Sequence, residues 1–415
     1  MSKRLLRGLV AFAIGLVLLA GGDRLTAQRA ASTAADIDAL LRAAVERRDV
    51  PGVVAMAVDR RGLIYSGAAG VASGSPARPM TTDAVFRIAS MTKAVTSVAL
   101  MQLVEQKKVG LDDPVARFFP AFSKIAVITA FDARTGAYTV APASRPVTVR
   151  QLLTHSSGLG YGFTSPIVRD FKPLNGDTFD VGPLLFEPGT DWVYGTSTDW
   201  VGRIVEQVSG QDLDRYFQEH ILQPLGMKDT HFNVPDAALP RLVPVWKRQA
   251  DGTLVEPRAD PPQRVTRFNG GGGLSSTAGD YIKFVQMLLN DGQLNGVRIL
   301  AADTVKTMSE NHMGAVSAHA TRTAMPDRSA DFTFINEGRD KWGLGFLITM
   351  ESAPGLRSVG SLSWGGINNT YFWVDRARGI AGVILMQFLP FADAKALAVY
   401  RDFERAVYRT TAVSQ

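Results

Sequence analysis

Ser90 and Lys93 stand three residues apart at the head of an apolar run, Val95, Val98, Leu100, Met101, Leu103 and Val104, which recurs at helical spacing and stops near Lys107-Lys108-Val109-Gly110. On a helix, positions i and i+3 share a face, so Lys93 Nζ can reach Ser90 Oγ. A serine hydroxyl is a weak nucleophile and needs a neighbouring base. A lysine can be that base if desolvation and nearby cations lower its pKa. The first helical turn leaves N–H groups unpaired, and that of Ser90 is a candidate oxyanion donor. The plainer alternative is a capping serine before an exposed lysine.

Two further stretches offer partners. Tyr194 follows the turn signal Glu187-Pro188-Gly189-Thr190 and precedes a helical run, Trp200, Val201, Ile204, Val205 and Val208, that ends at Ser209-Gly210. A tyrosine there could project into a cleft, where a cationic lysine would draw it toward the phenolate; otherwise it is an amphipathic surface residue. Ser363-Trp364-Gly365-Gly366-Ile367 lies between the strand-like runs Leu356–Ser361 and Thr370–Val374. Paired glycines beside a strand permit close approach of a ligand, and N–H groups at Gly366 or Ile367 could complete an oxyanion hole. A glycine bulge with Trp364 packed on the core is the structural alternative.

The elements that must position these residues form a pattern. Asp36–Arg48 reads as an amphipathic helix, and Val53–Val58 with Leu63–Ala68 reads as a hairpin around Asp59-Arg60-Arg61-Gly62. Runs at Leu344–Met350, Leu356–Ser361, Thr370–Val374 and Ile380–Gln387 suggest further strands, and Ala392–Tyr408 a closing helix. Strands at both ends and a largely helical middle predict an α/β (α+β) fold. Its antiparallel sheet comes from the N- and C-terminal segments, flanked by helices, with an inserted α-rich lobe and a cleft between the two. Pro142–Pro146 and Pro240–Pro262 read as loops, and Ala315–Phe334 as a long polar connection bordering a substrate channel.

With the three motifs in this order, the chain resembles the serine β-lactamase and penicillin-binding-protein superfamily, on the class C side, and is most similar to the family VIII carboxylesterases. Ser90-x-x-Lys93 matches the nucleophile motif, Tyr194 the tyrosine of Tyr-x-Asn, and Trp364-Gly365-Gly366 stands in place of Lys-Thr-Gly. Phe86-Arg87-Ile88-Ala89, Leu152 through Leu159 and Gly270 through Ser276 agree with the likeness. It implies a β-lactamase-like domain over residues 28–415, with a sheet lobe at about 30–100 and 270–415 and a helical lobe at about 101–269. It also implies catalytic roles for Ser90, Lys93 and Tyr194, and oxyanion or substrate contacts at Ser90, Trp364, Gly365, Gly366 and Ile367. Two departures bear on substrate. Thr196 stands where the family carries an asparagine amide, and Trp364 where it carries a cation that pairs with a substrate carboxylate. Their loss favours esters of small neutral acyl groups. A β-lactamase, a D-alanyl-D-alanine carboxypeptidase or a non-catalytic scaffold of the same fold are the alternatives.

Composition narrows the field. The chain has 415 residues, is 46% hydrophobic and lacks cysteine, so no thiol nucleophile or disulfide is available. Its net charge of +6 gathers partly at the amino terminus, and later basic residues alternate with acids, so no nucleic-acid partner is expected. Residues 1–27 carry Lys3, Arg4 and Arg7, an apolar segment from Leu9 to Ala20 and small residues near Ala27, the anatomy of a secretory signal or an uncleaved anchor. An exported, periplasmic or secreted enzyme is expected. His155, His220, His231, His312 and His319 form no metal-binding spacing, so neither metal nor cofactor is expected. The Gly-x-Ser-x-Gly elbow of α/β-hydrolases is absent. Gly270–Gly273 lacks the lysine of a phosphate loop.

Overall fold

The computed structural model describes residues 34–174, 176–256, 263–333 and 339–412. The signal-like residues 1–27 lie outside them. Eight strands form one antiparallel sheet: β1 (Gly52–Asp59), β2 (Leu63–Gly74), β3 (Ala77–Pro79), β4 (Lys341–Trp342), β5 (Leu347–Ile348), β6 (Leu362–Gly366), β7 (Thr370–Asp375) and β8 (Ile380–Leu385). Their spatial order is β4-β5-β6-β7-β8-β1-β2-β3, so the two ends of the chain meet where β8 pairs with β1, Val54 opposite Leu385 and Asp59 opposite Ile380. The fold is therefore the expected β-lactamase-like one.

Strands β7 and β8 are buried along their whole length, because helices cover both faces. The side chains alternate accordingly. Phe372 meets Tyr281 of α4 (Ala278–Leu289) on one face. Tyr371 stacks on Tyr400 and Trp373 meets Phe403 of α5 (Ala394–Ala412) on the other, where α1 (residues 34–46) also contributes. The predicted hairpin turn forms because Asp59 accepts from the N–H groups of Arg61 and Gly62.

One expectation is corrected. Leu356–Ser361 is not a strand but a turn-rich approach to one. The strand is Leu362–Gly366, so the tryptophan–glycine motif is itself part of the sheet rather than set between strands. The middle of the chain holds α3 (Ser197–Ser209) and also a hairpin, Ala126–Phe131 with Tyr138–Pro142, and Trp246–Arg248, which pairs with Phe388–Leu389. Helix α2 (Thr92–Glu105) is buried nearly all round, wedged against α3. No solvent-facing stripe interrupts its apolar run for that reason.

One ion pair fastens α5. The buried Arg357 guanidinium gives two hydrogen bonds to Glu404, at 2.6 and 3.0 Å, and one to the Tyr400 hydroxyl at 2.5 Å, and its backbone N–H gives Glu404 a third at 2.8 Å. Removing one partner strands the other charge in the interior. Glu404→Ala should lower unfolding stability by about 3–5 kcal/mol. Replacing both residues, as Arg357→Met with Glu404→Leu, should recover most of that loss in a urea titration. A double variant as unstable as the single one would contradict this account.

Candidate active site

Ser90 sits in a short 3-10 turn, Ala89–Met91, that feeds directly into α2. The turn begins with Ala89 at φ +45°, in the left-handed region that alanine seldom occupies, so the surrounding packing must hold it. Three contacts do so. Ile88 N–H donates to Leu274 C=O, Thr370 Oγ1 donates to Ile88 C=O, and the Tyr281 hydroxyl donates to Met91 C=O at 2.8 Å. Ser90 is partly exposed, and its N–H makes no hydrogen bond to a described residue.

Lys93, one turn on, is fully buried. Its Nζ lies 3.3 Å from Ser90 Oγ, 3.1 Å from Tyr161 Oη and 2.5 Å from the Gly271 carbonyl, and 4.8 Å from the centre of the Tyr194 ring. Burial works against its charge, but Tyr161, Tyr194 and Asp199 outweigh it and hold the pKa above the ordinary lysine value. No cation lowers it, contrary to the expectation of a neutral lysine base. Burial raises the Tyr161 hydroxyl, against the pull of Lys93. Neighbouring His155 is held neutral by burial and by Lys93, and its Nδ1 accepts from Gly195 N–H at 3.4 Å.

The sequence reading missed Tyr161 and Asp199. Tyr161 lies two residues beyond the family-like stretch ending at Leu159, and nothing in its spacing separates it from a packed aromatic. Asp199 opens α3. Burial raises its carboxyl, and its Oδ1 accepts from Gly271 N–H at 2.7 Å. Gly271 is thus clamped on both sides, its N–H by Asp199 and its C=O by Lys93. It has no room for a side chain, because a Cβ would lie next to Asp199 Oδ1 and 3.0 Å from Tyr161 Oη. The run Gly270–Gly273, set aside as a failed phosphate loop, is a lysine-holding loop.

Trp364 is 2% exposed. Its Nε1–H donates to Tyr194 Oη at 3.1 Å, and its ring packs on Trp342 with centroids 4.5 Å apart. It thus meets Tyr194 and Trp342 inside the fold. The void it helps line holds only about 10 Å³. Gly365 and Gly366 have no room for a side chain. A Cβ on Gly365 would meet the Tyr371 ring at 2.6 Å, and one on Gly366 would run into the Ile88 carbonyl. The β6–β7 hairpin, with Ile367 half-buried at its tip, therefore docks directly on the turn carrying Ser90. Thr196 precedes α3 and makes no capping hydrogen bond.

A serine hydroxyl, a buried lysine and two tyrosines share one site on a β-lactamase-like sheet. The β-lactamase family model matches residues 37–406. The chain belongs to the β-lactamase family. Within that family it is similar to the lovastatin esterase of Penicillium rubens, at 30% identity over 90% of this chain and 98% of that one. It is also 32% identical to the monacolin J acid methylbutanoyltransferase of Aspergillus terreus, over 93% of this chain and 98% of the relative. A mutant of simvastatin synthase from Aspergillus terreus matches with a TM-score of 0.78 at 29% identity, covering 92% of this chain and 98% of the other. These relatives are hydrolases and acyltransferases on a shared fold.

Gly271→Ala should push aside either Asp199 or the carbonyl that receives Lys93. A displacement near 1 Å at such a site is expected to cost roughly 10²-fold in turnover. Steady-state kinetics beside a thermal melt would check it. An unaltered kcat on a properly folded variant would show that the clamp has no bearing on the site.

Proposed function

We propose that the protein cleaves carboxylic esters of small neutral acyl groups through a covalent acyl-enzyme on Ser90, which water or a second alcohol then relieves of the acyl group. One observation carries the reading: Ser90 Oγ lies 3.3 Å from a buried ammonium that also faces two tyrosines. As Ser90 Oγ bonds to the acyl carbon, its proton passes to the Tyr194 oxygen, which must enter this step as phenolate beside the Lys93 ammonium and leaves it as phenol, while the negative charge moves to the carbonyl oxygen. Trp364 Nε1–H donates to the Tyr194 oxygen and holds it in place. The N–H groups of Ser90 and of the Gly366–Ile367 hairpin receive the carbonyl oxyanion. The C–O bond to the alcohol then breaks, and the leaving oxygen takes the proton back from Tyr194.

Trp364 supplies no charge for a carboxylate on the acyl side, and burying an unpaired carboxylate is costly, which supports neutral acyl groups over β-lactams. The similarity to an esterase and to an acyltransferase supports both fates of the acyl-enzyme. The composition of residues 1–27 supports an exported protein.

Ser90→Ala should lower turnover of p-nitrophenyl butyrate by at least roughly 10³-fold without unfolding the protein. For the wild-type enzyme, kcat/KM should be far higher on that ester than on a chromogenic cephalosporin. The reverse order would hand the site to the lactamase alternative. A pH profile tests the charge on Lys93. Its pKa is raised in the folded protein, so the ammonium persists below that value, and activity should fall only at strongly alkaline pH. Asp199→Asn removes one of the anions that hold it up, so the alkaline limb of kcat/KM should move to lower pH. An unmoved limb would mean that Asp199 does not act on Lys93.

A further inference from the structure

Tyr194 is held through the residues on either side of it, and both are held by one histidine. Val193 N–H donates to the His155 carbonyl at 3.0 Å, and Gly195 N–H donates to His155 Nδ1 at 3.4 Å. The imidazole also packs on the tyrosine ring, with centroids 4.9 Å apart, and meets the Trp342 ring edge-on at 5.0 Å. Further contacts close the same segment in. Thr164 Oγ1 donates to the Tyr194 carbonyl at 2.9 Å, and a Cβ on Gly195 would run into the Leu159 carbonyl.

His155 is itself placed for this double contact. It follows the short helix Val149–Leu153 and is 1% exposed. Its φ of +57° lies in the left-handed region, which among residues with a side chain favours Asn, Asp and His. With the backbone turned that way, carbonyl and ring both reach Val193–Gly195. Nδ1 can accept only while it carries no proton, since a protonated imidazole has donors alone. Burial and the Lys93 ammonium keep the ring neutral. No hydrogen bond joins His155 to Ser90 or Lys93, so it stands outside the groups that touch the reacting atoms.

We propose that His155 is a positioning residue, fixing the main chain from which Tyr194 springs so that its oxygen meets the proton of Ser90. Trp364 Nε1–H holds the tip of the same ring, so the tyrosine is held at both ends. The proposal rests on the reading of Tyr194 as the proton carrier: its oxygen takes the proton as Ser90 Oγ bonds to the acyl carbon, and gives it to the alcohol oxygen as the C–O bond breaks. A tyrosine freed at its base fails most where the leaving oxygen most needs that proton.

The test compares ethyl butyrate with p-nitrophenyl butyrate on the full-length protein. Both give the same butyryl-enzyme, but ethoxide needs a proton to leave and p-nitrophenolate does not. The readout is the ratio of kcat/KM for the ethyl ester to that for the p-nitrophenyl ester within each variant, so a loss of active protein cancels. His155→Phe keeps a ring and removes the acceptor, and should lower that ratio by roughly tenfold or more, as expected when proton transfer is impaired. Tyr194→Phe should lower it at least as much. His155→Asn brings Oδ1 to the place of Nδ1 and tolerates the left-handed backbone, so its ratio should stay near that of the wild type. If Tyr194→Phe lowers the ratio and His155→Phe does not, the positioning role falls while the reading of Tyr194 stands. An unchanged ratio in Tyr194→Phe removes both. A His155→Asn protein as deficient as His155→Phe overturns the acceptor role of the ring. Histidine ¹⁵N spectra give a second measurement on the unaltered protein, should His155→Phe fail to fold. The resonance that His155→Asn removes must belong to a neutral ring with a bare Nδ1, and a proton on that nitrogen overturns the proposal.

Discussion

A lysine ammonium buried away from water is the constraint around which this site is built. Such a charge is tolerable only where oxygen atoms surround it. Lys93 finds them on segments far apart in the chain: the Ser90 hydroxyl on its own turn, the Tyr161 hydroxyl, and the Gly271 carbonyl, with Asp199 and the Tyr194 ring close by. The fold must bring all of them to one point, or the charge is lost. The same demand explains why the lysine stays protonated. Its surroundings are anionic or potentially so, and they outweigh the desolvation that would otherwise neutralise it.

The sheet and helices supply that convergence with little freedom left over. Helix α2 is buried on nearly every side, so the Ser90 turn at its start cannot shift independently. The β6–β7 hairpin presses on the Ile88 carbonyl, and α4 reaches the turn through the Tyr281 hydroxyl. Ala89 keeps its left-handed backbone under these contacts. Gly271 and Gly366 are both positions where chain meets chain too closely for a side chain.

Trp364 shows how one replacement changes the chemistry of a shared scaffold. Where the superfamily motif carries a cation, this chain places an indole whose N–H meets the Tyr194 oxygen and whose ring closes an aromatic cluster with Trp342. The indole gives the tyrosine a donor but offers no charge.

Much of this was legible in the sequence. The three-residue spacing of Ser90 and Lys93, the turn signals around Tyr194 and the alternating strands at both ends follow from local periodicity and from motif order, which any single chain displays. The antiparallel sheet was readable for the same reason. The strand at Leu362–Gly366 was not, because paired glycines carry no strand signal and owe their presence to Tyr371 and Ile88 across the fold. Tyr161, Asp199 and Gly271 were invisible as site residues, since only tertiary contact sets them around Lys93. The protonation of that lysine was likewise beyond reach: a sequence names the ionisable groups, but their distances and burial decide which one holds the proton.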